Sequence, residues 1–121
     1  MESNFNQICS RLFYSGLLVA MMTDRDGVVI LKSVSDEAKE AMTEPIMPTT
    51  FAIANNQASK LGLEHNKSII SFYEKYQVIQ LDQSPLIITL IANSTANTGL
   101  FMNLGNDLLK LTEPLVNALN E

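Results

Sequence analysis

One cysteine, Cys9, and one histidine, His65, are the chain's whole stock of soft nucleophile and near-neutral base. Together they meet the bare inventory for thiol chemistry, in which an imidazole activates a sulfur. Their settings point elsewhere. Cys9 falls close to an apolar stripe, Phe5, Ile8, Leu12 and Phe13, and reads as a packing thiol. His65 lies in the polar stretch "GLEHNKS" and reads as a surface histidine. One Cys and one His fall far short of a zinc set, and Asp36, Glu37 and Glu40 lack the Gly-bearing spacing of a calcium loop. There is no phosphate-cradling G-x-x-x-x-G-K-[ST] loop and no G-x-G-x-x-G turn. Asn97-Thr98-Gly99 opens a helix whose free N–H groups could hold an anion, although capping is the commoner use of such residues. No cofactor and no catalysis are expected.

The bulk properties agree. A chain of 121 residues, 46% hydrophobic and 17% charged, suits one folded domain spanning residues 1–121. A net charge of −5 without a Lys/Arg cluster argues against nucleic acid and against adsorption to an anionic membrane. The lone cysteine cannot form an internal disulfide and suggests a reducing compartment. The opening "MESNFNQ" lacks a secretory signal, no apolar run nears the ~18–20 residues of a membrane span, and no lipidation motif is present. The expectation is a cytosolic chain with no direct membrane insertion, whose membrane address, if any, comes from a partner.

The elements follow from periodicity and punctuation. "SNFNQICSRLFYSG" has helical spacing, with Asn4 and Gln7 as a capping-box start and Gly16 as the stop. "LLVAMMT" is apolar on both faces, Asp24–Gly27 is a hairpin loop, and "VVILKSV" returns. Pro45 and Pro48 make a connecting loop of the next stretch, and Thr49 or Thr50 caps a second helix ended by Gly62. Three strands follow, "SIISFY", "YQVIQL" and "LIITLIA", with turns at Glu74-Lys75 and at 82–85. A leucine-striped final helix begins near Asn97 or Thr98, and Pro114 should kink or divide it. The order is α-β-β-α-β-β-β-α. The two strands that look central come from different halves of the chain, the first and the last in sequence, and placing them side by side makes both central. The predicted fold is an α+β (α/β/α) sandwich: a five-stranded antiparallel sheet in the order 2-1-5-4-3, with helices on both faces.

That order leaves "SIISFY" at an edge with no charge, proline or bulge to blunt it. Its apolar residues stand on both sides, which helices on both faces would cover. An undefended edge predicts pairing with a strand of another chain. The second helix supplies a matching flank of small residues, Ala52, Asn55 and Ser59, beside its Phe51/Ala54/Ala58 face. Both features fit two subunits side by side, strand against strand and helix against helix.

This order of elements resembles the roadblock/dynein light chain superfamily, whose fold is profilin-like. "TDRDGVVILK", "TFAIANNQASKLGLEHNKSII", "YQVIQL" and "SPLIITLIANSTANTGL" more specifically resemble the MAP-kinase scaffold family of the MEK-partner-one type. Members of that family are roadblock subunits of the Ragulator late endosomal/lysosomal adaptor complex. The resemblance runs from about Phe5 to Leu119 and is loosest over 33–48. It implies a non-enzymatic adaptor that pairs with a p14-type roadblock subunit. It further implies attachment to late endosomes and lysosomes through a lipidated membrane-anchor subunit, and clients comprising MAP kinase kinase, MAP kinase and the Rag GTPases of mTOR signalling. The implied pairing surface is Phe51, Ala52, Asn55, Asn56 and Ser59 on the second helix with Ser68, Ile69, Ile70, Ser71, Phe72 and Tyr73 on the third strand. The alternatives are a homodimeric roadblock-type dynein light chain and, in a different class, a thiol enzyme built on Cys9.

Overall fold

The computed structural model describes residues 2–24, 26, 28–36, 68–83 and 86–120. The helix expected at 50–61, its residues Phe51, Ala52, Asn55, Asn56 and Ser59, and His65 lie outside these.

Helix α1 (Glu2–Ser10) starts earlier and stops sooner than its spacing predicts. Asn4 and Gln7 are interior residues rather than a capping box. The helix ends because Ser10 Oγ donates to the Gln7 carbonyl at 3.1 Å while the Leu12 N–H tightens onto the Cys9 carbonyl at 3.0 Å. A 3₁₀ turn, Phe13–Ser15, carries the chain on to Gly16. Gly16 has φ +108°, and a Cβ there would lie 2.8 Å from the Ala96 Cβ, so conformation and space both demand glycine.

Strands β1 (Leu17–Asp24), β2 (Val29–Val34), β3 (Ser68–Phe72), β4 (Tyr76–Gln83) and β5 (Leu86–Asn93) form one sheet in the order β2-β1-β5-β4-β3, as expected. Every neighbouring pair is antiparallel. The logic of two central strands holds: β1 and β5 are buried at every position except their last. Asp24 Oδ1 accepts the N–H groups of Asp26 and Val28, both at 2.9 Å, which closes the expected β1–β2 hairpin. The turn expected at 82–85 is shorter, because β4 runs on through Gln83, which pairs with Leu86.

Helix α2 (Thr98–Asn120) packs with α1 on one face of the sheet. There Phe5 and Cys9 from α1 and Phe101, Leu104 and Leu108 from α2 bury the inward rows of β1, β4 and β5. The opposite face is also apolar and buried at Val19, Met21, Val78 and Ile91. Pro114 does not divide α2, which continues through it. Pro114 and Lys110 both stand on the solvent side, where water can satisfy the carbonyl that the ring leaves without a donor.

Candidate interaction surface

Of the two residues that thiol chemistry would need, His65 lies outside the described residues and Cys9 has no reactive setting. Cys9 is fully buried, and that burial pushes its thiol from the ordinary 9.0 up to about 12. At neutral pH it is a protonated packing group, not a nucleophile. Asn97, at the helix start considered for anion binding, caps α2: its Oδ1 accepts the Gly99 N–H at 3.0 Å.

The surface that remains is built by the sheet's two edges, and they differ. Edge β2 carries two protective devices. Its register with β1 slips between Met22 and Thr23, leaving Ile30 as an extra residue, and Lys32 places an exposed charge mid-strand. Edge β3 pairs regularly with β4 from Ser68 to Phe72 and holds no charge, proline or bulge.

Which main-chain groups β3 offers follows from its ladder. The Tyr73 N–H donates to the Tyr76 carbonyl at 2.8 Å, closing the hairpin around Glu74-Lys75. Hydrogen-bonded pairs alternate in an antiparallel ladder, so Ser71 and Ile69 turn their main-chain groups toward Val78 and Gln80 of β4. Ile70 and Phe72 turn theirs to the free edge. The predicted pairing strand therefore presents outward donors and acceptors at alternate residues, as sheet extension requires.

The same register sets the side-chain faces. Ile70 stands opposite Ile79, and Phe72 opposite Gln77, on the face that α1 and α2 cover. The helices do not reach them: Ile70 is 40% and Phe72 64% exposed. The expectation that helices cover this strand's apolar groups is thus corrected on this face. Helix α2 lies over β4 and β5, one strand short.

Sequence reasoning missed the residue that braces this edge. Gln77 is fully buried at the start of β4, and its Nε2 donates to the carbonyls of Asn93 and Ala96, each at 3.0 Å. Its Oε1 accepts from Thr98 Oγ1 at 2.5 Å. Ser94 adds a second tie, donating its N–H to the Lys75 carbonyl at 3.1 Å and its Oγ to the Glu74 carbonyl at 3.2 Å. The β3–β4 turn, the end of β5 and the start of α2 are one hydrogen-bonded unit, so the edge is held in shape before any partner arrives. The available signal was parity, since Gln77 shares the inward row of Ile79 and Leu81.

Among the described residues no three His, Cys, Asp or Glu side chains cluster to hold a metal, and no helix is long and apolar enough to cross a membrane. Known proteins with this arrangement fall into two circles. Among solved structures, the gliding protein MglB of Thermus thermophilus superposes with a TM-score of 0.78 at 13% identity, covering 97% of this chain and 91% of that one. A roadblock/LC7 domain of Streptomyces avermitilis gives 0.73 at 13% identity over 92% and 96%. Profilin IA of Acanthamoeba castellanii gives 0.64 at 18% identity over 97% of each chain. These likenesses establish a roadblock/profilin-like fold. In sequence, Ragulator complex protein LAMTOR3 of Tetraodon nigroviridis is 49% identical over 100 residues, 83% of this chain and 81% of that protein. The Homo sapiens protein of that name is 47% identical over the same shares. The family model described as mitogen-activated protein kinase kinase 1 interacting matches residues 2–119, and the chain belongs to that family.

Proposed function

We propose that this chain is a non-enzymatic scaffold subunit of a Ragulator-type complex, paired through β3 with a second roadblock protein of the p14 type. The observation that carries the reading is the asymmetry of the edges: β2 is blunted by a register slip and Lys32, whereas β3 is regular, uncharged and braced from behind. In this reading Ser68–Tyr73 pairs with the partner's strand, and Phe51, Ala52, Asn55, Asn56 and Ser59 pack against its helix. The near-half identity to Ragulator relatives across four-fifths of the chain supports the complex. A lipidated anchor subunit would hold the pair on the cytosolic face of late endosomes and lysosomes. MAP kinase kinase, MAP kinase and Rag GTPases would meet there by raised effective concentration, with no bond made or broken by the scaffold.

Purified chain, alone and mixed with the p14-type subunit, is followed by light scattering. A mixed pair of one copy each is expected, and a stable homodimer that ignores the p14-type subunit would reject the reading in favour of a dynein light chain. The ladder sharpens the mutagenesis. Phe72→Pro removes an outward donor and leaves the β3–β4 bonds intact, so it should abolish pairing while circular dichroism is preserved. Ser71→Pro instead breaks the internal ladder and should lower the stability of the chain itself. Pairing at wild-type affinity by a folded Phe72→Pro chain would show that the edge is not the contact.

A further inference from the structure

One buried side chain joins the free edge of the sheet to the start of α2. Gln77 stands directly opposite Phe72 in a non-hydrogen-bonded pair, the closer kind in an antiparallel ladder, with Cα atoms about 4.5 Å apart. On its other side Gln77 is paired with Ala92 of β5. Its side chain holds the chain that leaves β5, through the carbonyls of Asn93 and Ala96 and the hydroxyl of Thr98. We propose that Gln77 is a positioning residue that couples occupancy of the β3 edge to the corner between β5 and α2, residues 93–98. The proposal rests on the β3 pairing above.

The corner is suited to opening as a unit. Its Ala96 N–H donates to the Asn93 carbonyl and the Leu100 N–H to the Asn97 carbonyl, each at 3.1 Å, so these bonds travel with it. Three ties fasten it to the rest of the described chain. The Asn93 N–H donates to the Gly16 carbonyl at 2.9 Å, Ser94 binds the β3–β4 turn through Glu74 and Lys75, and Gln77 supplies three hydrogen bonds. Because Gln77 is fully buried, lifting the corner breaks those bonds together and brings water to its amide.

Two states follow. In the closed state the clasp is made, and the β3–β4 hairpin is held at both its turn and its first β4 residues. In the open state the corner has lifted, and the turn at Glu74-Lys75 has lost Ser94 with it. A strand added to β3 needs Ile70 and Phe72 held in register, which the closed state supplies. Pairing therefore draws the chain into the closed state, and by linkage a chain held closed pairs more tightly. Thr95, Asn97 and Gly99 are exposed on or beside the corner, so this surface is fully ordered only in the pair.

Amide exchange followed by NMR reads the coupling on the purified chain, free and in the mixed pair. The corner lies three strand spacings, about 14 Å, from a strand seated beyond β3. In the free chain the Asn93, Ala96 and Leu100 amides should exchange faster than those of central β1, hence by local opening, and pairing should slow them at least threefold. Free Gln77→Met should exchange them at least tenfold faster than wild type. In its mixed pair the outward Phe72 amide should still be protected, while the corner amides no longer respond to pairing. Thr98→Val removes one bond and leaves β4 untouched; it should speed corner exchange about fivefold, and it decides the matter if Gln77→Met does not fold. Leu108→Ala, buried ten residues farther along α2, lowers stability without touching the clasp and should keep the full response. Corner amides that open only with the whole chain, that ignore pairing in the wild type, or that respond undiminished in the clasp variants would each overturn the coupling. Failure of the pairing has a separate signature: no mixed species by mass and a Phe72 amide left unprotected, in which case the coupling falls with it.

Discussion

Gly105→Ala measures how closely α2 sits on the sheet. At a helix interior, alanine is favoured over glycine by about 1 kcal/mol. Here the new Cβ would meet Leu81 Cδ1 at 2.7 Å and Cδ2 at 3.1 Å, and Leu81 is only 3% exposed. Leu81 must leave its rotamer or α2 must rise, and overpacking of this kind costs roughly 1–3 kcal/mol. The clash outweighs the propensity, so the substitution should destabilise by about 1 kcal/mol. Leu81→Val removes the clashing methyls at a cost of about 1 kcal/mol. In that background the alanine methyl fills vacated space, and Gly105→Ala should stabilise by about 1 kcal/mol. The cycle thus predicts a coupling of about 2 kcal/mol with a change of sign. Urea unfolding followed by circular dichroism reads all four proteins, at one protein concentration because any pairing contributes to stability. Gly105→Ala that stabilises equally in both backgrounds would mean α2 does not press on Leu81 of β4, and would refute the reasoning.

Other outcomes are as specific. Gln77→Met keeps the volume but discards three hydrogen bonds, and the chain should lose about 2–4 kcal/mol in the same urea assay. Thr89 is fully buried with no hydrogen-bond partner for its Oγ1 among the described residues, so Thr89→Val should raise the melting temperature, a gain of about 1 kcal/mol. Cys9 should resist a thiol reagent at pH 8 until urea unfolds the chain, at a rate tracking the unfolded fraction. Its folded pKa lies above the unfolded one, so the folded state keeps its proton longer. This thiol's contribution is whole below pH 9.0 and is lost as pH climbs toward about 12; Cys9→Ala should flatten that alkaline fall.

The order of the sheet was legible because strand burial is a local property. "LLVAMMT" and "LIITLIA" offer no polar face to water, so they had to be central and adjacent, and the structure pairs Met21 with Thr89 at their middle. Helix ends were less legible, because they turn on single competing bonds. Ser10 folding back on Gln7 shortens α1 by more residues than any cap signal in the sequence reveals. Pro114 misled for a related reason: its cost depends on whether the bond it removes faces water, and facing is decided by packing. Gln77 escaped notice because a glutamine in a strand ordinarily marks the solvent row. Its three partners, Asn93, Ala96 and Thr98, are neighbours in space and not in sequence.

The candidate surface divides along the same line. That β3 is an edge without defences is a statement about residue types, and it was readable in "SIISFY". That its inner face is bare depends on how far α2 reaches, and no periodicity carries that information. The two facts make separate demands on partners. Outward N–H and C=O groups at Ile70 and Phe72 call for a strand in the plane of the sheet, while the side chains of those residues call for an apolar body above it. One roadblock partner in the side-by-side arrangement meets the first demand and leaves the second standing. On the proposed reading, a scaffold that pairs by its edge would keep a second, independent surface on the same strand. Phe72→Pro addresses the first and Phe72→Asp the second, so a chain that loses pairing to the former and keeps it with the latter would show the two to be separable.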